Sequence, residues 1–287
     1  MINFLLSIQQ KFSLFINSIL SLIKVLFLSD FSLKAAKATQ SRCGILGNGP
    51  SLKTTLEKDR DFLQQLELIA VNLFSTTEEY KELKPKNYLL LDWSFMNPDH
   101  SFGRRGLRGI IENTTWDLNL FVPDKMLKST YFSSELAQNP HIKPIAFNYT
   151  IVTGYKPFIY WLFKRNIGMP QCQNVLVATL FYALNMGFKE IYLFGADHSW
   201  HEMIKLDENN NLVVSDTHFY GQKDYDIAVR ETSYMSQQLF SLHKAFYGYE
   251  VLAGYARYLG VKVYNASVKS YVDVFQKVKV SDLSSNE

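Results

Sequence analysis

The chain has 287 residues, 47% of them hydrophobic and 20% charged, with a formal net charge of +3. Those are globular values that exclude wholesale disorder, and so small a charge argues against a dedicated nucleic-acid binder, which would carry a clustered basic surface. Its two cysteines, Cys43 and Cys172, supply neither a disulfide framework nor a metal quartet, which fits a reducing, cytoplasmic setting.

From Phe4 to Leu28 the residues are mostly Leu, Ile, Phe and Val, interrupted at Ser7, Gln10, Lys11, Asn17, Ser18, Ser21 and Lys24. That spacing draws one narrow polar stripe along a helix. No small-residue cleavage site follows, so a secretory signal is not indicated. The stripe favours an amphipathic helix, residues 1–30, lying in the membrane interface at the cytoplasmic face; docking on the domain or on a second subunit, or a true span, are the other ways to cover it. Residues 31–41 form a connector whose Lys34 and Lys37 suit anionic headgroups.

The rest of the chain, residues 42–280, is expected to be one nucleotide-binding α/β domain, with a frayed tail at 281–287. It opens with Cys43-Gly-Ile-Leu-Gly-Asn-Gly-Pro-Ser-Leu-Lys53, which reads as strand, tight turn, helix. Such a turn brings backbone N–H groups against an anion, although an ordinary Gly-rich turn has the same composition. A charged helix over Leu56 to Leu66, a strand Leu68 to Asn72, a helix Glu78 to Leu83 and a strand Asn87 to Asp92 follow. Three strands thus end in Asn48, Asn72 and Asp92, and in a parallel sheet those ends share one edge.

Residues Asn97 to Gly109, carrying His100, Arg104, Arg105 and Arg108, read as a loop that either folds over a phosphate or is solvated. Trp116 to Pro123 contains a strand, Tyr131 to Tyr149 reads as polar loops, and Tyr155 to Lys164 as an aromatic helix. Asn174 to Met186 is an apolar helix capped by Gly187, followed by the strand Lys189 to Phe194 and Gly195-Ala-Asp197. His198 and His201 with Asp197 and Glu202 could hold a divalent ion, but a pair three apart is common, and no metal site is assigned. A hairpin over Lys205 to Val214 leads to Asp216-Thr-His-Phe-Tyr-Gly221. His218 there is the candidate general base, or else a hydrogen-bonded structural histidine. A helix from Ile227, continuing to Leu259, and the strand Val261 to Tyr264 close the domain. The element order predicts an open, mostly parallel, Rossmann-like sheet with helices on both faces.

Three runs, Gly47-Asn-Gly-Pro-Ser-Leu-Lys53, Ala183 to Leu193 with Gly195-x-Asp197, and His218-Phe-Tyr-Gly221, resemble the bacterial sialyltransferases of glycosyltransferase family 42. They are also similar to the group related to an archaeal 6-hydroxymethylpterin diphosphokinase, whose domain recurs in flagellin-modifying glycosyltransferases. The resemblance implies that Gly47, Asn48, Gly49, Ser51, Asn72, Asp92, Asn174 and Asp197 border a donor nucleotide-sugar. It also implies that His218 deprotonates the acceptor, or that the acceptor is activated in another way. Gln222 stands where those sialyltransferases carry their catalytic histidine, Ser199 replaces a leaving-group tyrosine, and Asn174-Val175-Leu176 replaces Thr-Ser-Gly. Tyr220 and Tyr225 are candidates to neutralise the departing phosphate.

The expected function is an inverting, metal-independent glycosyltransferase moving a CMP-activated acidic sugar onto a surface or lipid-linked glycan beside the membrane, with homo-oligomers possible. The alternatives are Mg-dependent diphosphoryl transfer from ATP to a hydroxymethylpterin-type alcohol, with Asp92 and Asp197 as metal ligands, and an inactive nucleotide-binding module.

Overall fold

The computed structural model describes residues 2–214, 217–219, 221–222 and 234–283. After α1 (Ile2–Leu28), β1 (Arg42–Leu46) leads through α2 (Leu52–Lys58) and α3 (Arg60–Gln64) to β2 (Glu67–Val71), and α4 (Glu78–Leu83) leads to β3 (Asn87–Leu89). The next units are α5 (Ser101–Asn113), β4 (Leu118–Pro123), α6 (Asp124–Leu127), α7 (Thr130–Leu136) and β5 (Ile142–Phe147). Helices α8 (Lys156–Lys164) and α9 (Val175–Met186) precede β6 (Glu190–Phe194). Two small hairpins come next, β7 (Ile204–Leu206) with β8 (Leu212–Val214) and β9 (Thr217–His218) with β10 (Gly221–Gln222). The described chain ends with α10 (Met235–Leu259), β11 (Lys262–Asn265), β12 (Gln276–Lys277) and α11 (Val280–Leu283).

An eight-stranded sheet runs in the order β12-β11-β6-β1-β2-β3-β4-β5, and its neighbours pair in parallel. Strand β2 is buried along its whole length, as expected for a strand covered on both faces. Its first residue, Glu67, is buried too, and is satisfied by Thr39, the Gln40 amide and Asn87. Pro144 falls in β5, where an edge position leaves one side of the strand without a ladder to donate to. One core lies under α8, α9 and α10, the other under α2 to α5 and α7. Helix α9 is apolar on nearly every side because it is buried between the sheet and α10.

Three departures from the sequence reading have physical causes. The stretch read as a loop at Asn97 to Gly109 is mostly α5, whose Gly103, Gly106 and Gly109 form its packed side. A Cβ at Gly103 would lie 2.0 Å from Ser94 O, and one at Gly106 would lie 2.7 Å from the Phe95 ring. Arg104, Arg105 and Arg108 therefore project outward, lining a shallow groove with Thr76 and Asn113. The polar stretch at Tyr131 to Tyr149 contains α7 and β5. The charged helix at Leu56 to Leu66 is broken at Asp59, which caps α2 and starts α3.

Helix α1 meets the domain along a narrow ridge. The Ser21 hydroxyl donates to Thr153 O at 2.7 Å and accepts from Thr153 N at 2.8 Å, and Ser18 Oγ accepts from Tyr155 N at 3.0 Å. Asn148 ties the helix end down through Asp30 N and Asp30 O. Ser18 and Ser21 of the polar stripe thus face protein, while Gln10, Lys11 and Lys24 stay exposed.

Candidate functional site

The strand order changes direction between β1 and β6: β1 leads outward to β2, β3, β4 and β5 on one side, and β6 to β11 and β12 on the other. In sheets of this kind the crevice outside the carboxyl ends at that point is where ligands bind. The turns after both strands meet there. Gly47 N donates to Phe194 O at 2.8 Å and Gly49 N to Gly195 O at 2.9 Å, so the ladder continues past the strands. Asp197 reaches across: its carboxylate accepts from Ser51 N at 2.9 Å and from Ser51 Oγ at 2.5 Å. The glycines are a packing requirement, since a Cβ on Gly49 would sit 2.3 Å from Asp197 Oδ1 and one on Gly47 2.5 Å from Gly195 O.

Asp197 is buried, and desolvation raises its pKa above the ordinary aspartate value, opposed by the two bonds from Ser51 and by Lys269 and Lys277. The segment after β11 wraps this turn. Ser267 Oγ accepts from Ala196 N, Ser270 Oγ donates to Ala196 O, and Tyr271 N donates to Asp197 O. At its rim Glu202 accepts from Lys269 at 2.8 Å and from the Tyr271 hydroxyl, and those two bonds hold its pKa below the usual carboxylate value.

The adjoining strand ends supply the rest. Asn48 is buried, donates Nδ2 to Val71 O at 3.2 Å, and through its backbone carbonyl accepts from Phe219 N at 3.1 Å. The backbone at His218-Phe219 is therefore docked directly on the opening turn, and the Phe219 ring lies 5.8 Å from Phe74, just beyond β2. Asn72 holds a left-handed backbone with φ of 51°, and its buried Oδ1 has no hydrogen-bond partner. Asp92 is exposed and caps the turn after β3 by accepting from Ser94 N at 2.8 Å. Asn174 caps α9 through Val177 N at 3.0 Å, while its Nδ2 is buried beside the Tyr249 hydroxyl without making a normal hydrogen bond.

His198, next to Asp197, is the residue the sequence undervalued. Its φ is 52°, its ring stacks on Trp200 at 4.4 Å, and Nε2 meets the Tyr249 hydroxyl at 2.7 Å. Burial drives its pKa down to about 3, so the ring is neutral. His201 instead stands edge-on to Tyr271, and among the described residues no three His, Cys, Asp or Glu side chains converge as metal ligands. Asp92 and Asp197 face separate turns and do not form a paired ligand set. The structure thus brings Gly47, Asn48, Gly49, Ser51, Asn72, Asp197 and the His218 backbone together, with Asp92 and Asn174 on neighbouring turns; the His218 side chain, Tyr220 and Tyr225 lie outside the described residues.

The fold is a doubly wound α/β sheet whose order switches between β1 and β6, the edge at which sheets of this kind bind ligands. Among solved structures it is similar to the MAf glycosyltransferase from Magnetospirillum magneticum AMB-1, with 15% identity and a TM-score of 0.51. The likeness covers 90% of this chain, which spans only 37% of that larger protein. No protein-family model matches the sequence, and neither does any curated protein.

Proposed function

We propose that the chain is a membrane-associated glycosyltransferase that takes a sugar from a nucleotide donor, CMP-linked and acidic, and transfers it to a surface or lipid-linked glycan. The observation that carries this reading is the meeting of the β1 turn, the β6 turn and the His218-Phe219 segment at the switch point, in a fold shared with a glycosyltransferase. Asn48, Asn72 and Asn174 would bind the nucleotide through neutral polar groups. Asp197 would act indirectly, holding Ser51 and the glycine turn in place. His218 would take the acceptor proton as the anomeric carbon is displaced with inversion, and Tyr220 and Tyr225 would stabilise the departing phosphate.

Diphosphoryl transfer from ATP is less well supported, because the two carboxylates it would use for Mg²⁺ are turned to different partners. Thermal unfolding separates the readings. CMP without added metal is expected to raise the midpoint, by about 2.7 kcal/mol of stabilisation at a hundredfold excess over its dissociation constant. Stabilisation by ATP with Mg²⁺ alone would reverse the assignment, and no response to any nucleotide would remove it. His218→Ala should retain the CMP response and lose roughly 10²–10⁴-fold in transfer, measured as released CMP.

A further inference from the structure

Helix α1 is docked the wrong way round for a soluble protein. Ser18, Ser21 and the buried Val25 make its ridge of contact, while Phe12, Phe15, Ile19, Leu22, Ile23 and Leu26 on the opposite side are exposed. A helix packed on a globular domain ordinarily buries its apolar side. Here satisfied polar bonds hold it to the protein: both Ser21 bonds to Thr153, Ser18 to Tyr155 N, and the Tyr155 hydroxyl to Lys11 O at 3.0 Å. Gly154, with φ of 139°, allows the approach, since a Cβ there would lie 2.3 Å from Ser18 Oγ.

The attachment runs lengthwise. Bonds from Lys11 to Ser29 cover about 27 Å at 1.5 Å per residue, most of the helix. A helix held in that way cannot cross a bilayer of ~30 Å hydrocarbon thickness without carrying the sheet's helices into it. Helix α8 begins just after Tyr155 and ends at Lys164, and beyond it the carbonyls of Asn166 and Ile167 accept from Asn148 and Ser29. On its outward side Trp161 is 44% exposed and the Arg165 guanidinium sits 4.0 Å above its ring, with Lys164 beside them. An exposed Trp next to cations is the composition of a headgroup-level anchor.

We propose that the apolar side of α1 and the outward side of α8 form one membrane-docking face, which seats the protein on an anionic bilayer with α1 lying in the plane. This rests on the membrane association read above and adds its geometry. The exposed side, widened by Ile16 and Phe27, is broader than the two-residue seam of a helix pair, which favours lipid over a second copy. The charge agrees: Lys11, Lys24, Lys34 and Lys37 outnumber Asp30 before Arg42, and Lys156, Lys164 and Arg165 extend the cationic rim.

The test uses the full chain with phosphatidylcholine vesicles with and without 30% phosphatidylserine. Flotation should show binding that weakens at high salt and on removing phosphatidylserine, and Ile19→Glu with Leu22→Glu should lower it roughly tenfold or more. Trp161→Ala with Arg165→Ala should lower it severalfold. Bimane on Phe15→Cys, Ile19→Cys, Leu22→Cys and Leu26→Cys should be quenched equally by shallow spin-labelled lipid, with Ser21→Cys spared; Cys43 and Cys172 are buried and stay silent. A quenching depth that changes steadily along α1 would mean a span and overturn the proposal. So would a dimer, abolished by the glutamates, that binds no vesicles. Because CMP stabilisation is measured without lipid on the same variants, loss of the nucleotide reading is separable from loss of this one.

Discussion

Gly49→Ala is expected to disrupt the site and to cost about 3 kcal/mol, a shift of roughly 5–10 °C in the unfolding midpoint. The new methyl would overlap Asp197 Oδ1 at 2.3 Å and Gly195 O at 2.6 Å, and neither neighbour is the free end of a flexible chain. Gly195 O is backbone held by Gly49 N, and Asp197 is pinned by both Ser51 bonds. Moving the carboxylate would leave Ser51 N and Oγ unsatisfied in a buried place, at about 1–3 kcal/mol for each orphaned group. CMP stabilisation should vanish with the turn. Gly187→Ala is the control: that glycine also has a left-handed backbone, φ 92°, but a Cβ there meets nothing within 4 Å, so it should lose only about 1 kcal/mol and keep nucleotide binding. Equal losses in the two variants would show that the contact between the turns is not what the glycine protects.

The same glycines explain how far the sequence could be read. Beyond the phosphate contact that their composition suggests, Gly47 and Gly49 by their lack of side chains let two strand-end turns interlock, and the Ser51–Asp197 bonds there join residues 146 apart, a relation that spacing cannot reveal. Parallel strands were legible because both faces are covered and their apolar runs are short and continuous, as in Leu68 to Val71. Helix α5 was not, since glycine at every third position, which gives it a flat packed side, has the composition of a loop. The strand ends at Asn48 and Asn72 were found by pattern, but Tyr249, Ser267, Lys269 and Tyr271 reach the site from the last third of the chain with no local signature. The polar stripe on α1 was visible; that its Ser18 and Ser21 face protein depends on Thr153 and Tyr155, far along the chain.

His198 should make the protein acid-labile well above the carboxylate range. Its folded pKa is depressed to about 3 by burial, while the unfolded chain titrates near 6.5. The depressed side of a base means that the folded state refuses a proton the unfolded state accepts. Its contribution is therefore fully present above pH 6.5 and is lost as pH falls from there toward 3, by about 1.4 kcal/mol per unit, or about 3 kcal/mol by pH 4. Asp197 acts in the opposite sense: its raised pKa favours the fold below about pH 3.9 and that advantage fades as pH rises through the folded value, so it offsets part of the loss only at the acid end. Urea unfolding from pH 7.5 to 4 on the parent and on His198→Asn separates the two. Asparagine tolerates the left-handed backbone and does not titrate, so the variant should start lower at pH 7.5, having lost the Tyr249 bond and the Trp200 stack, yet decline much less on acidification. Parallel curves would mean that His198 takes up its proton in the folded state. That outcome would require the Trp200 and Tyr249 packing to open readily, and the turn after β6 would then be a moving part instead of a fixed wall.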